Sequence, residues 1–174
     1  MPNFDEHLLI SAARIDGLIL DVDGVLTDGK ITYNNEGEES KNFHVRDGSS
    51  IKLLLKSGID IAILSGRNSQ SVERRAKELG VTKIVLGAES KLNGFQKLRE
   101  KGFASREILA IGDDLGDLEL FSHPDISLSA TVEDAAEFVK SKVDFVTEKA
   151  GGNGIMFEIA ELILTSKDLW PYEN

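Results

Sequence analysis

Leu18-Ile-Leu-Asp21-Val-Asp23-Gly24-Val25-Leu26-Thr27-Asp28-Gly29 is the stretch on which the fold of this chain turns. An apolar run ending in two carboxylates reads as a buried strand that delivers acids at its carboxyl end, the edge where parallel sheets hold their chemistry. Residues two apart in a strand share a side, so Asp21 and Asp23 face one crevice, and Gly24 lets the backbone turn away. Two crowded acids repel unless a cation lies between them. The spacing predicts a Mg²⁺ site in which one carboxylate is a nucleophile toward phosphorus and the other moves a proton.

After this run, residues 30–44 alternate apolar and polar positions around an Asn/Gly-rich centre and read as a protruding β-hairpin. Asp47 is then expected to cap a helix carrying Ile51, Leu54 and Leu55 and ending at Gly58, before the apolar strand 59–64. The pattern repeats as helix 69–79, strand 83–86, helix 92–101 and strand 108–111, which ends in Gly112-Asp113-Asp114-Leu-Gly116-Asp117. This is a second acidic strand end. Strand 126–128, a helix near 132–140, strand 145–146 and a terminal helix near 155–164 complete the series. Such alternation predicts an α/β fold, a doubly wound, Rossmann-like parallel sheet, in one domain spanning 1–174.

With 174 residues and 41% hydrophobic content, the chain is sized for one core. No apolar run reaches the roughly 20 residues of a membrane helix, and the start Met1-Pro-Asn-Phe-Asp-Glu-His7 lacks the regions of a signal peptide, so a cytoplasmic location is expected. The absence of cysteine excludes disulfides and thiolate chemistry, and His7, His44 and His123 are too scattered for a zinc site. A formal net charge of −10 argues against nucleic acid as a partner. Local cations can still dominate a pocket, since screening acts over roughly 10 Å; Arg46, Arg67, Arg75 and Lys91 are the candidates.

Four strand ends thus carry polar groups: Asp21/Asp23, Ser65-Gly66-Arg67, the turn 87–91, and Asp113/Asp114. Phosphoryl transfer needs a nucleophile, a metal and donors to the non-bridging oxygens, and this set offers all of them. In this order, from Leu18 to about Leu164, it resembles the haloacid dehalogenase superfamily of aspartyl phosphotransferases. The resemblance implies that Asp21 attacks phosphorus, that Asp23 protonates the leaving oxygen and then activates water, and that Ser65 and Lys91 bind the phosphoryl group. It also implies Mg²⁺ held by the Asp21 carboxylate, the Asp23 backbone carbonyl and the Asp113 carboxylate. Asp114 and Asp117 either orient Lys91 or Asp113 or cap the following helix.

Asp21-Val-Asp-Gly-Val-Leu-Thr-Asp-Gly29, Phe43-His-Val-Arg-Asp-Gly48, Ser65-Gly-Arg67, Gly112-Asp-Asp114 and Ala150-Gly-Gly-Asn-Gly154 resemble the 3-deoxy-D-manno-octulosonate 8-phosphate phosphatases more closely. That capless branch belongs to lipopolysaccharide sugar synthesis. The likeness implies a homotetramer joined through the hairpins and a sugar-acid phosphate substrate. It assigns sugar-acid contacts to His44, Val45, Arg46, Asp47 and Gly48, and to Arg67 and Arg75. Arg67 favours the eight-carbon substrate; Phe157, standing where the family usually has Arg, keeps a nine-carbon 9-phosphate or another small phosphosugar as the alternative.

More remote readings are a receiver domain or a non-catalytic oligomerisation module. A receiver keeps its acyl phosphate, whereas Asp23 is placed to hydrolyse one, and a lapsed enzyme would have lost Asp21, Asp23 or Asp113. The bland reading of Ser65 is a helix cap; for Arg46 and Arg75 it is a surface ion pair with Glu73 or Glu78.

Overall fold

A computed structural model of the chain describes residues 4–172. Strand β1 (Gly17–Leu20) is buried along its whole length. It pairs in parallel with β4 (Asp60–Leu64) on one side and β6 (Ile108–Ile111) on the other, Leu18 standing opposite Ile61 and Leu109. With β5 (Lys83–Val85), β7 (Ile126–Thr131) and β8 (Phe145–Val146) these form a six-stranded sheet in the order β5-β4-β1-β6-β7-β8. All the pairings are parallel.

The chain fills one side of β1 through β4 and β5 and then crosses back to β6 on the other. The strand order therefore reverses at β1, and the crevice beyond its carboxyl end is where such sheets bind ligands. Alternation along β1 sends Leu18 and Leu20 into one core and Ile19 into the other. The first core is covered by α1 (Glu6–Ala12), α2 (Val45–Lys56), α3 (Gln70–Leu79) and α7 (Met156–Ser166); the second by α4 (Lys91–Glu100) and α5 (Leu118–Phe121). One further short helix, α6 (Glu137–Lys140), precedes β8. No helix of the described residues is long and apolar enough to cross a membrane.

The strands lie where periodicity places them, but several boundaries differ. Helix α1 is not anticipated at all; it is seven residues long and follows an Asp5 cap. The expected hairpin of residues 30–44 narrows to β2 (Thr32–Tyr33) and β3 (Glu39–Ser40), closed by Asn34, whose side chain accepts the N–H groups of Glu36 and Glu38. The expected helix over 132–140 shrinks to α6, because residues 132–136 form a turn in which the Ala135 N–H bonds the Val132 carbonyl at 3.1 Å.

Asp47 is not the cap of α2. His44 takes that place, its Nδ1 accepting the N–H of Arg46 at 3.1 Å. Asp47 is instead buried one turn in, where it accepts the N–H of Met156 at 2.8 Å. An acid satisfies the unpaired donors at the start of α7 better than it would duplicate a cap already supplied by imidazole.

Candidate active site at the carboxyl edge of the sheet

Asp21 follows β1 directly, its N–H still bonded to the Ile111 carbonyl at 3.0 Å, so the sheet fixes where its carboxylate emerges. Oδ1 accepts the N–H of Val22 and Oδ2 faces Lys91 Nζ at 3.0 Å. Lys91 is the first residue of α4, a position where the helix field disfavours a cation. Three acceptors offset this: Asp21, Asp117 Oδ1 at 2.8 Å and the Leu64 carbonyl at 3.2 Å. Burial opposes the Lys91 charge, yet the two acids hold its pKa above the ordinary lysine value.

Asp117 is buried and fully engaged. Its Oδ2 accepts the backbone N–H groups of Asp113 and Asp114, each at 3.1 Å, while Oδ1 meets Lys91. Asp114 accepts from Leu115 N–H and caps a short 3₁₀ turn over Leu115–Asp117. Asp117 thus performs both of the alternatives left open for it, completing the capping box while orienting Lys91 and the Asp113 turn.

Asp113 is different: its carboxylate receives no hydrogen bond among the described residues and presses on Gly24. A Cβ at Gly24, where φ is +85°, would come within 2.0 Å of Asp113 Oδ2. Carboxylate oxygens of Asp21, Asp113 and Asp117 all lie within 4.8 Å of one another. Burial first, then the Asp21 and Asp117 charges, pushes the Asp113 pKa up to about 7; burial likewise raises Asp21 to about 6. Asp117 is the more deeply buried acid and takes three donors from the protein, which leaves Asp21 and Asp113 best placed to share a cation. Crowded, desolvated oxygens of this kind fit a hard divalent ion.

Asp23 lies across the same cleft and is paired with Lys41, the residue that leads out of β3. Arg67 Nε is 4.0 Å from Asp23 Oδ2, and Nη2 bonds Glu39 and the Tyr33 hydroxyl. Ser65 is buried at the end of β4; its Oγ accepts the Arg67 N–H at 3.2 Å, and the cap of α3 is Ser69, so Ser65 is not a helix cap.

The structure brings Asp21, Asp23, Ser65, Arg67, Lys91, Asp113, Asp114 and Asp117 into one open cleft. It does not bring the remaining candidates there. His44, Asp47, Gly48 and Arg75 line a separate, mostly apolar cavity between α2 and α3. Arg75 also reaches Glu78 at 3.4 Å. Val45 and Arg46 are exposed on the first turn of α2. Phe157 stands on α7 with its ring edge-on to Trp170 at 5.5 Å.

Sequence reasoning missed Lys41, Glu39 and Glu119, the last accepting the first N–H groups of α4. Lys41 lies 18 residues from Asp23 in the chain, and only the folded hairpin reveals its pairing. The one available signal was a lysine flanked by polar residues at the root of a predicted hairpin.

A family model of haloacid dehalogenase-like hydrolases matches residues 83–159. The chain is 41% identical over 161 residues to the Escherichia coli K12 3-deoxy-D-manno-octulosonate 8-phosphate phosphatase KdsC, covering 92% of this chain and 85% of that protein. Among solved structures, the Yersinia pestis 3-deoxy-D-manno-octulosonate 8-phosphate phosphatase superposes with a TM-score of 0.88 at 39% identity, over 94% of this chain and 88% of that one. The Moraxella catarrhalis enzyme, solved with magnesium, phosphate and KDO, gives 0.87 at 38% identity, over 95% and 94%.

Proposed function

From the premise that the chain belongs to the haloacid dehalogenase-like hydrolases, and among them to the 3-deoxy-D-manno-octulosonate 8-phosphate phosphatases, we propose how its own residues carry out the hydrolysis. The protein is a Mg²⁺-dependent phosphoric monoester hydrolase that converts 3-deoxy-D-manno-octulosonate 8-phosphate to the free sugar acid and phosphate, in lipopolysaccharide sugar synthesis.

Asp21 Oδ attacks phosphorus while the bond to the sugar oxygen breaks, and Asp23 gives that oxygen its proton. Water, deprotonated by Asp23, then attacks the aspartyl-phosphate; the P–O bond to Asp21 breaks and phosphate leaves. Lys91 and Ser65 hold the non-bridging oxygens, Lys91 being fixed for this by Asp117. The carboxylates of Asp21 and Asp113 and the backbone carbonyl of Asp23 would hold Mg²⁺, which would supply charge neutralisation at the phosphoryl group.

Arg67 contacts the sugar-acid carboxylate. Arg75, His44, Val45 and Arg46 stand outside the cleft of their own chain, so their sugar-acid contacts belong to the assembled enzyme; Asp47 and Gly48 are buried and support that segment from within. That assembly is a homotetramer built through the hairpins, whose Ile31 and Tyr33 side chains are exposed. The enzyme works in the cytoplasm, each chain as one domain.

The observation that carries this reading is the convergence of Asp21, Asp23, Asp113 and Lys91 on one cleft at the sheet edge. It is tested by phosphate release with Mg²⁺ or EDTA across eight-carbon and nine-carbon sugar-acid phosphates and hexose phosphates. Metal-dependent preference for the octulosonate 8-phosphate is expected; a preference for a nine-carbon 9-phosphate would move the substrate, and no release from any would end the reading.

A further inference from the structure

Four charges alternate around a closed ring at the mouth of the cleft. Asp23 pairs with Lys41; Lys41 Nζ lies 3.1 Å from Glu39 Oε1; Glu39 Oε2 bonds Arg67 Nη2; and Arg67 Nε returns to within 4.0 Å of Asp23. Glu39 and Tyr33 face each other across the hairpin, and the Tyr33 hydroxyl adds a second tether to Arg67 at 3.2 Å. The free protein thus already presents its cleft arginine with a carboxylate.

We propose that Glu39 is a specificity-determining residue: it occupies Arg67 as an internal carboxylate, which a substrate displaces only by bringing a carboxylate of its own. The proposal rests on the reading that Arg67 meets the sugar-acid carboxylate. The two cations of the ring differ in access. The Lys41 side chain is 1% exposed and is enclosed by Asp23 and Glu39, whereas the Arg67 side chain is 42% exposed and open to the cleft. A phosphate group is drawn deeper, to Lys91 and Ser65, and leaves the Arg67–Glu39 pair intact. A second anionic group can take Glu39's place on the guanidinium, since one carboxylate replaces another and the charge beside Arg67 is conserved. A neutral hydroxyl cannot, because it would leave the guanidinium without an anion. An ion pair whose arginine is 42% exposed is open enough for such an exchange.

Glu39→Gln tests this with the full-length protein at saturating Mg²⁺. The amide keeps an oxygen for Lys41 and loses the charge that holds Arg67. The KM for the octulosonate 8-phosphate is expected to fall by about two- to fivefold, the range an exposed ion pair covers, at unchanged kcat. The KM for glucose 6-phosphate, which has no carboxylate, stays the same. A KM for the sugar-acid phosphate that is unchanged or raised, or an equal change for both substrates, overturns the proposal. If Glu39→Gln does not fold, Tyr33→Phe decides: removing only the hydroxyl tether lowers the same KM in the same direction, and no change there refutes the idea. Failure of the parent reading has its own signature, a wild-type protein that hydrolyses both substrates with equal kcat/KM, and that result removes the proposal as well.

Discussion

Lys91 and Asp117 form a pair at 2.8 Å that holds the cation of the cleft in place from behind, leaving its other side to Asp21. Asp117 also fixes the backbone of Asp113 and Asp114 through its second oxygen. Asp117→Asn has one acceptor oxygen for what are now three donors, so either Lys91 or the Asp113 turn loses its support. The substitution should lower kcat by about 10- to 100-fold, as losses of groups that orient a metal site do, and raise the Mg²⁺ concentration for half-maximal activity. Steady-state phosphate release over a Mg²⁺ titration measures both; a variant with parental kcat would show that Asp117 only caps its turn.

Asp21→Asn keeps the shape of the side chain and removes the proposed nucleophile. Turnover should vanish while thermal unfolding remains cooperative. Appreciable residual phosphate release from a folded variant would mean that another group attacks phosphorus.

The raised carboxyls of Asp21, to about 6, and Asp113, to about 7, set a pH dependence of stability. Both lie above the ordinary 3.8, so between about pH 4 and pH 7 the folded chain binds protons that the unfolded chain has released. Stability from these groups therefore falls as pH rises through that window, and the deficit is complete above it. Mg²⁺ requires the ionised oxygens, so its stabilising effect runs the other way. The rise in Tm on adding Mg²⁺ should be larger at pH 8 than at pH 5. In Asp113→Asn the metal-free Tm at pH 8 should equal or exceed the parent's, and the response to Mg²⁺ should be lost. An equal Mg²⁺ effect at both pH values would exclude these two acids as the ligands.

How much of this was legible in the chain depends on the range of each interaction. Leu18 to Leu20 and Ile108 to Ile111 are read as strands because burial on both faces leaves an unbroken apolar run. The acids following those strands then share an edge by topology alone. His44 and Asp47 both suit the start of α2, and the choice between them is made by Met156, 109 residues beyond Asp47. Lys41 likewise declares itself only when the hairpin folds back on Asp23. The separation of Arg75 and Gly48 from the cleft is equally tertiary: the two touch each other, a Cβ at Gly48 falling 2.3 Å from the Arg75 guanidinium.

In the hairpin Ile31 and Tyr33 are exposed, whereas Glu39 and Lys41 on the other arm are largely covered. Apolar side chains on a two-stranded ribbon call for a partner surface. Ile31→Glu places a charge in that surface and should reduce the mass seen by light scattering from that of the proposed tetramer toward a single chain. An unchanged mass would place the subunit contact elsewhere.

Gly151 supports the catalytic turn through the absence of a side chain. A Cβ there would stand 1.8 Å from the Gly24 carbonyl oxygen and 3.2 Å from that of Thr27, backbone atoms that cannot rotate away. The neighbouring Gly152 N–H donates to the Val25 carbonyl at 2.9 Å, so the loop and the turn are fastened together. Gly24 in turn abuts the Asp113 carboxylate, and any displacement of the turn therefore changes the distance between the two acids proposed to share the metal. Gly151→Ala should destabilise the protein by about 1–3 kcal/mol, the usual range for overpacking, and raise the Mg²⁺ concentration needed for half-maximal activity. Gly116→Ala, where a Cβ meets open space, serves as the stability control and should melt close to the parent. If Gly151→Ala melts lower but binds Mg²⁺ as before, the loop supports the fold and leaves the spacing of Asp21 and Asp113 untouched.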